Sequence, residues 1–311
     1  GMISPPGEIK WYNRADGNVW RRGDIVPNLN EDDADKKAET VLDLVFTPEE
    51  GNPGSWGGVM RCIDKYGIDM TRKTRIRLYI RPPDDAGSPN IYLDLGESIS
   101  EDAVRLERVG GELVRRANGR LDTEDTAGNG IYTSEKDTGL DNLFSEEEPG
   151  YDPQSNPDPN QDDFYYTSGD NPDGGQSSRY PYPNINNTEN NRDLDTEDLN
   201  RNGSLDTSDL FFRIRIPYDD PDYVLYENLD TGWRLVEIPL DDSTLIEVPD
   251  QVAGTPTLEK VSFARIWMDN FTAADTVEVY DMSIVGNRWE QRGVFAVEFP
   301  APEVLPSEQL L

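Results

Sequence analysis

The sequence predicts an all-β fold, a jelly-roll-like β-sandwich with a long acidic loop insertion, and three observations carry that expectation. Short apolar runs with a two-residue period recur towards both ends of the chain, and Gly, Pro and Asp separate them. The middle of the chain has neither the period nor the aliphatic content. A two-residue period places apolar side chains on one face of a strand and polar ones on the other, as a sheet with one buried face requires.

The clearest run is Arg75-Ile-Arg-Leu-Tyr-Ile-Arg81, with Ile76, Leu78 and Ile80 on one face and Arg75, Arg77 and Arg81 opposite. The same period recurs over residues 42–46, 56–62, 91–95, 211–216, 233–240, 263–268, 277–284 and 294–299. Many short strands separated by turn residues predict a sandwich or jelly roll. One short helix is expected over residues 101–109, because Ser98 and Glu101 stand in a Ser-x-x-Glu capping pattern and Gly110-Gly111 supplies a stop. The flanks of the acidic middle each have too few strands to close a core. Residues 1–311 therefore read as one sandwich domain and residues 121–209 as an insertion within it. More than half of the excess negative charge lies in that insertion. Its centre, residues 151–183, has the composition of a disordered segment, yet Phe164, Tyr165, Tyr166, Tyr180 and Tyr182 argue that part of it lies down on a surface.

Composition excludes several classes of function. With 62 acidic residues against 29 basic and a net charge of −33, the chain repels nucleic acid and anionic membrane and collects divalent cations. It has no histidine, which removes Ser-His-Asp and Cys-His catalysis and nearly every zinc-enzyme ligand set. Cys62 is the only cysteine, so no internal disulfide forms. Its place in a strand-like run reads as a buried thiol acting as a small hydrophobe. Glu97, Glu101 and Asp102 have the residue types of a glycosidase pair, but such pairs are inevitable in so acidic a chain, and no enzymatic activity is expected. No apolar run approaches membrane-spanning length and no signal peptide opens the chain, so the sequence reads as a mature form or a segment of something longer.

One motif carries chemistry. Asp198-Leu-Asn-Arg-Asn-Gly-Ser-Leu-Asp-Thr-Ser-Asp209 follows the twelve-residue pattern that wraps calcium in EF-hands and dockerins. Asp198, Asn200 and Asn202 offer side-chain oxygens at alternate positions, and Gly203 allows the sharp turn. Ser204 offers its carbonyl, Asp206 binds directly or through water, and Asp209 closes the shell where glutamate is more usual. The low ligand charge predicts an affinity on the order of 10⁻⁶ to 10⁻³ M. The motif has a degraded copy. Leu121-Asp-Thr-Glu-Asp125 recurs as Leu194-Asp-Thr-Glu-Asp198, and Asn129-Gly130 recurs as Asn202-Gly203 at the same offset. In the copy, position three is Ala127 and position twelve is Lys136, leaving Asp125, Asn129 and either Glu135 or Asp137 as ligands.

Two further features bear on partners. Trp56, Trp233, Trp267 and Trp289 would suit either core packing or a sugar-stacking platform, as in jelly-roll carbohydrate-binding modules. Arg75, Arg77 and Arg81 on one strand and Arg213 and Arg215 on another would make a basic patch if adjacent. Together with the alternating run at 294–299, they predict self-association by strand addition and charge complementarity.

Nine runs stand out in order along the chain: Trp11-Tyr-Asn-Arg-Ala15, Leu42-Asp-Leu-Val-Phe-Thr-Pro48, Trp56-Gly-Gly-Val-Met-Arg61, Ile91-Tyr-Leu-Asp-Leu-Gly-Glu97, Ser100-Glu-Asp102, Leu121 to Asp125, Asp137-Thr-Gly-Leu-Asp141, Asp198 to Asp206, and Trp233-Arg-Leu-Val-Glu-Ile-Pro239. Together they resemble segments of the SprA family, very large outer-membrane proteins of gliding bacteria that form the translocon of type IX secretion. The resemblance implies an envelope location, at the cell surface or the periplasmic face of the outer membrane. The chain is several-fold shorter than the family and lacks the strand series of a membrane barrel, so it implies a module rather than translocation itself. The expectation is a non-catalytic, calcium-binding structural or interaction module, with neighbouring copies or other envelope proteins as partners. A glycan-binding module and a subunit of a strand-linked surface fibre are the alternatives.

Overall fold

The computed structural model describes residues 6–14, 20–29, 33, 39–84, 87–110, 112–160, 162–164 and 188–286. Two antiparallel sheets face each other. The first has the order β1-β2-β13-β4-β10-β9, built from β1 (Glu8–Arg14), β2 (Val41–Thr47), β4 (Arg75–Arg81), β9 (Val224–Glu227), β10 (Arg234–Pro239) and β13 (Asp275–Val285). The second has the order β11-β8-β5-β12-β3, from β3 (Trp56–Cys62), β5 (Asn90–Ser98), β8 (Leu210–Arg215), β11 (Ile246–Glu247) and β12 (Phe263–Asp269). Eight of the nine periodic runs fall on these strands, and the ninth, 294–299, lies outside the described residues.

The period explains the core. Leu44, Phe46, Ile76, Leu78, Ile80, Val236, Ile238 and Val277 project from the first sheet onto Ile91, Leu93, Leu95, Ile214 and Met268 of the second, all of them buried. Each such side chain contributes about 1.5–3 kcal/mol by leaving water. A smaller cluster on the outer face of the first sheet surrounds Trp233, which is fully buried, packs with Ile25 and Val41, and meets Trp20 edge-on at 5.8 Å. Ile25 reaches it from the four-residue helix α1 (Arg22–Ile25).

The helix expected over 101–109 does not form. Residues Arg105–Val109 are strand β6, paired antiparallel with β7 (Glu112–Arg116), and Gly110, at φ +63°, serves the hairpin turn instead of a helix stop. The Ser-x-x-Glu signature needs the glutamate to cap its own turn. Glu101 instead accepts hydrogen bonds from backbone N–H groups almost a hundred residues later.

The expected basic patch does not form either. Arg75, Arg77 and Arg81 lie on the outer face of the first sheet and Arg213 and Arg215 on the outer face of the second, so the two sets are on opposite sides of the sandwich. Each is also engaged. Arg75 and Arg77 hold the buried Glu237, Arg81 pairs with Glu278 at 3.0 Å and Asp84 at 2.5 Å, Arg213 pairs with Asp94 at 3.1 Å, and Arg215 reaches Asp219 at 3.5 Å.

The insertion begins earlier than its composition shows. Ser98, the last residue of β5, stands opposite Leu210, the first of β8, so the chain between them is the connection of an adjacent antiparallel pair. The sandwich core therefore closes without it. Ile99 and Leu199 from the excursion cover Phe211, Phe263, Met60 and Cys62 on the outer face of the second sheet. Cys62 is half-buried there, and desolvation raises its thiol pKa, in keeping with a packing role. Replacing residues 100–208 by a short Gly-containing turn should leave a cooperatively unfolding β protein with a smaller denaturant m-value, because less surface is exposed on unfolding. Loss of a cooperative transition in urea would show that the sandwich depends on the insertion.

Candidate metal centre

The inside of the insertion is polar. Among the described residues of 121–209, Leu140 is the buried aliphatic side chain, whereas Glu124, Asp137, Glu148, Asp158, Asp163, Glu189, Glu197 and Asp198 are all buried. Buried carboxylates are tolerable only where donors or cations meet their oxygens. Here backbone amides do much of that. Glu124 accepts from Thr138 N at 3.0 Å and Asp195 N at 2.8 Å, and Glu197 accepts from Ala103 N at 3.0 Å and Asp122 N at 3.1 Å.

These two glutamates are the same position of the Leu-Asp-Thr-Glu-Asp repeat, and the copies embrace reciprocally. Glu124 N donates to Asp195 O and Glu197 N to Asp122 O, both at 3.0 Å, around an antiparallel bridge between Thr123 and Thr196. The repeat is thus a locally two-fold pair, each copy capping the other. Glu101 joins from the end of β5, its carboxylate accepting from Leu199 N at 2.9 Å, Asn200 N at 3.2 Å and Asp206 N at 3.3 Å.

Each copy leads into an Asn-Gly loop, and the two loops match atom for atom. In the second, Asp198 accepts from Asn202 N at 2.9 Å and Gly203 N at 2.6 Å, and Asn202 Oδ1 accepts from Ser204 N at 2.8 Å. In the first, Asp125 accepts from Asn129 N at 3.2 Å and Gly130 N at 2.6 Å, and Asn129 Oδ1 accepts from Ile131 N at 3.0 Å. Position four is left-handed in both, Gly128 at φ +62° and Arg201 at +58°, as is position six, Gly130 at +63° and Gly203 at +84°.

The loops differ at position twelve. Lys136 swings its ammonium into the first loop, donating to Asp125 Oδ1 at 2.9 Å, Asn129 Oδ1 at 2.9 Å and Ile131 O at 3.0 Å. These are the oxygens of positions one, five and seven, three of those that surround calcium in loops of this pattern. Of the other ligands expected in this copy, Glu135 is exposed, and Asp137 turns away to accept from Tyr132 Oη at 2.8 Å and Asn191 N at 3.3 Å. Asp125 and Asn129 are therefore brought together around a lysine.

The second loop has Asp209 at that position. Its carboxylate accepts from Ser100 N at 3.0 Å, outside the ring of loop oxygens. Asp198, Asn200, Asn202, Ser204 and Asp206 are gathered: the carboxamides of Asn200 and Asn202 both donate to Asp206 Oδ2, at 2.8 and 2.7 Å. Asn200 Oδ1 is buried and meets no donor. A matched ring of oxygens with an unmet buried acceptor fits a hard cation.

The rival constellations are otherwise employed. Glu97 is half-buried and pairs with Lys260 at 2.6 Å, and Asp102 accepts from Asn118 N and Gly119 N, both at 3.0 Å. Trp267 is stacked on Tyr92 at 4.3 Å with the Arg213 guanidinium 4.6 Å from its ring, and Trp233 is core. Trp56 and Trp11 line a cleft of 440 Å³ between the sandwich edge and the insertion, and Trp289 lies outside the described residues. Neither a protein-family model nor a curated protein matches this chain.

Sequence reasoning missed the stapling role of Glu101, Glu124 and Glu197. The signal was present for two of them, since the repeat keeps the glutamate as strictly as the aspartate that follows it. Burial raises the pKa of Glu124 to about 7, Glu189 to about 8 and Asp195 to about 6. Groups whose folded pKa lies above the unfolded value bind more protons in the folded chain. Their stabilising contribution is complete below the unfolded value and is lost as pH rises through the folded one. In chelator, the melting temperature should therefore rise as pH falls from about 8 to 6, and Glu124→Gln should flatten the slope. A melting temperature that instead climbs with pH over this window would contradict it.

Proposed function

We propose that this chain is a non-catalytic, calcium-binding structural or interaction module of a bacterial cell-surface or outer-membrane protein. The observation that carries the calcium reading is the matched pair of loops. Where one closes on the Lys136 ammonium, the other offers the corresponding oxygens of Asp198, Asn202 and Ser204, with Asn200 and Asp206 beside them and Asp209 at the lysine's position. The envelope location rests on the SprA-like runs. It agrees with an acidic, histidine-free chain carrying a single cysteine. Calcium acts here as part of the fold, offsetting the repulsion among carboxylates and fixing the insertion against the outer face of the second sheet.

Calcium at a hundred times the dissociation constant of the Asp198 loop should gain about 2.7 kcal/mol of stability from that site, and Asp198→Ala should remove that site's contribution in thermal melts. Lys136→Glu, which places an acid at position twelve of the first loop, should let that loop bind as well. A melting temperature indifferent to chelator, with no metal found in the native protein, would refute the calcium reading.

A second reading, glycan binding, is favoured by the cleft beside Trp11 and Trp56, because Trp11 is 37% exposed there and offers an indole to a sugar ring. Retention on immobilised polysaccharide that disappears in Trp11→Ala would support it over a purely structural role.

A further inference from the structure

Beyond the paired repeats, the insertion contains a second cluster of different construction. Asp141, Glu148 and Asp162 each bring a carboxylate oxygen within 4.8 Å of the other two. Glu148 follows the 3-10 turn Ser145–Glu147 and is only 3% exposed. Its Oε2 accepts from Asn160 N at 2.8 Å, while its buried Oε1 meets no donor. Asp162 Oδ1 and Asn160 Oδ1 are likewise buried without a donor. Asp141 is held from both sides, accepting from Leu143 N at 2.9 Å and Asn160 Nδ2 at 2.5 Å.

This departs from the rest of the insertion, where both oxygens of Glu124 and of Glu197 receive backbone amides. An unmet buried acceptor is costly to leave, and more so when charged. Two carboxylates of a close group of three carry such an acceptor, and Asn160, bonded to the group through its backbone and side-chain N–H, carries another, which together describe a place for positive charge.

We propose that Asp141, Glu148, Asp162 and Asn160 form a second calcium site. The donors are all oxygen, the set preferred by hard cations. Calcium suits them better than magnesium, since it accepts six to eight oxygens in irregular arrangements, whereas magnesium demands near-octahedral geometry and holds its waters. The 440 Å³ cleft, lined by Asp141, Asn160 and Asp162, gives the ion a route from solvent and room for water to complete its shell. The ion has structural reach, because Asp162 O accepts from both Thr188 N and Glu189 N at 2.9 Å. A cation on Asp162 therefore ties residues 188–189 to the 141–148 turn. The site shares no residue with the Asp198 loop, so the two stand or fall separately.

The test is calcium stoichiometry of the full chain by equilibrium dialysis and elemental analysis at physiological salt. The wild type should bind two ions, and the double variant Asp162→Asn/Glu148→Gln should lose one while keeping the ion that Asp198→Ala removes. Melts in chelator guard against simple misfolding. Asp162→Asn should raise the melting temperature there, because it deletes uncompensated buried charge, and should reduce the gain from calcium. If the double variant binds as many ions as the wild type, the second site is wrong and the loop reading is untouched. If Asp198→Ala loses nothing while the double variant loses one ion, the loop reading fails and this site stands. Magnesium displacing calcium from the cluster at equal concentration would overturn the choice of ion.

Discussion

The hydrogen bond from a backbone amide to a buried carboxylate is the interaction on which the insertion depends. Among its described residues beyond 121 the excursion buries little aliphatic surface, and the chain entropy of that part must be offset by something else. Glu101, Glu124 and Glu197 supply that by receiving N–H groups from segments far apart in sequence, and Glu189 does the same for Ser145 N at 3.1 Å. Bonds of this kind are strongest when the acceptor is ionised. They gather acids where water is scarce, and burial there raises their pKa values, so that protons or cations are in demand.

The molecule meets that demand in different ways in its two parts. In the sandwich, buried acids sit under arginines: Asp94, fully buried, is held by Arg213 and Arg265, and Glu237 by Arg75 and Arg77. These pairs spend the basic residues that would otherwise make a docking patch. In the insertion Arg105 serves Asp122 and Glu197, basic residues are scarce beyond residue 121, and Lys136 enters the first loop. In the first loop the positive charge is a side chain of the chain itself, whereas the second loop has an acid at the lysine's position.

On the proposed calcium reading, an insertion ordered by the ion would suit an extracellular or periplasmic setting, and the binding energy would go into fixing the insertion. The sandwich beneath provides a frame that closes at Ser98 and Leu210 independently of the excursion. That separation lets the acidic part carry recognition or rigidity without risk to the core.

The sequence by itself determined the sandwich and the repeated Asn-Gly turns, because both are written locally. A two-residue period fixes which side of a strand is buried, as Ile76, Leu78 and Ile80 demonstrate, and the Asp-to-Asn-Gly spacing fixes the turn that Asp125 and Asp198 each cap, while the partner of position twelve does not follow from the spacing. Only the tertiary structure decided what depends on residues distant in the chain. Glu101 looked like a helix cap and became a staple for Leu199, Asn200 and Asp206. The two arginine strands looked like neighbours and lie on opposite faces. Lys136 looked like a damaged ligand position and is the cation of its own loop, and Asp141, Glu148 and Asp162 share no motif, being brought together by backbone turns that only the folded insertion makes.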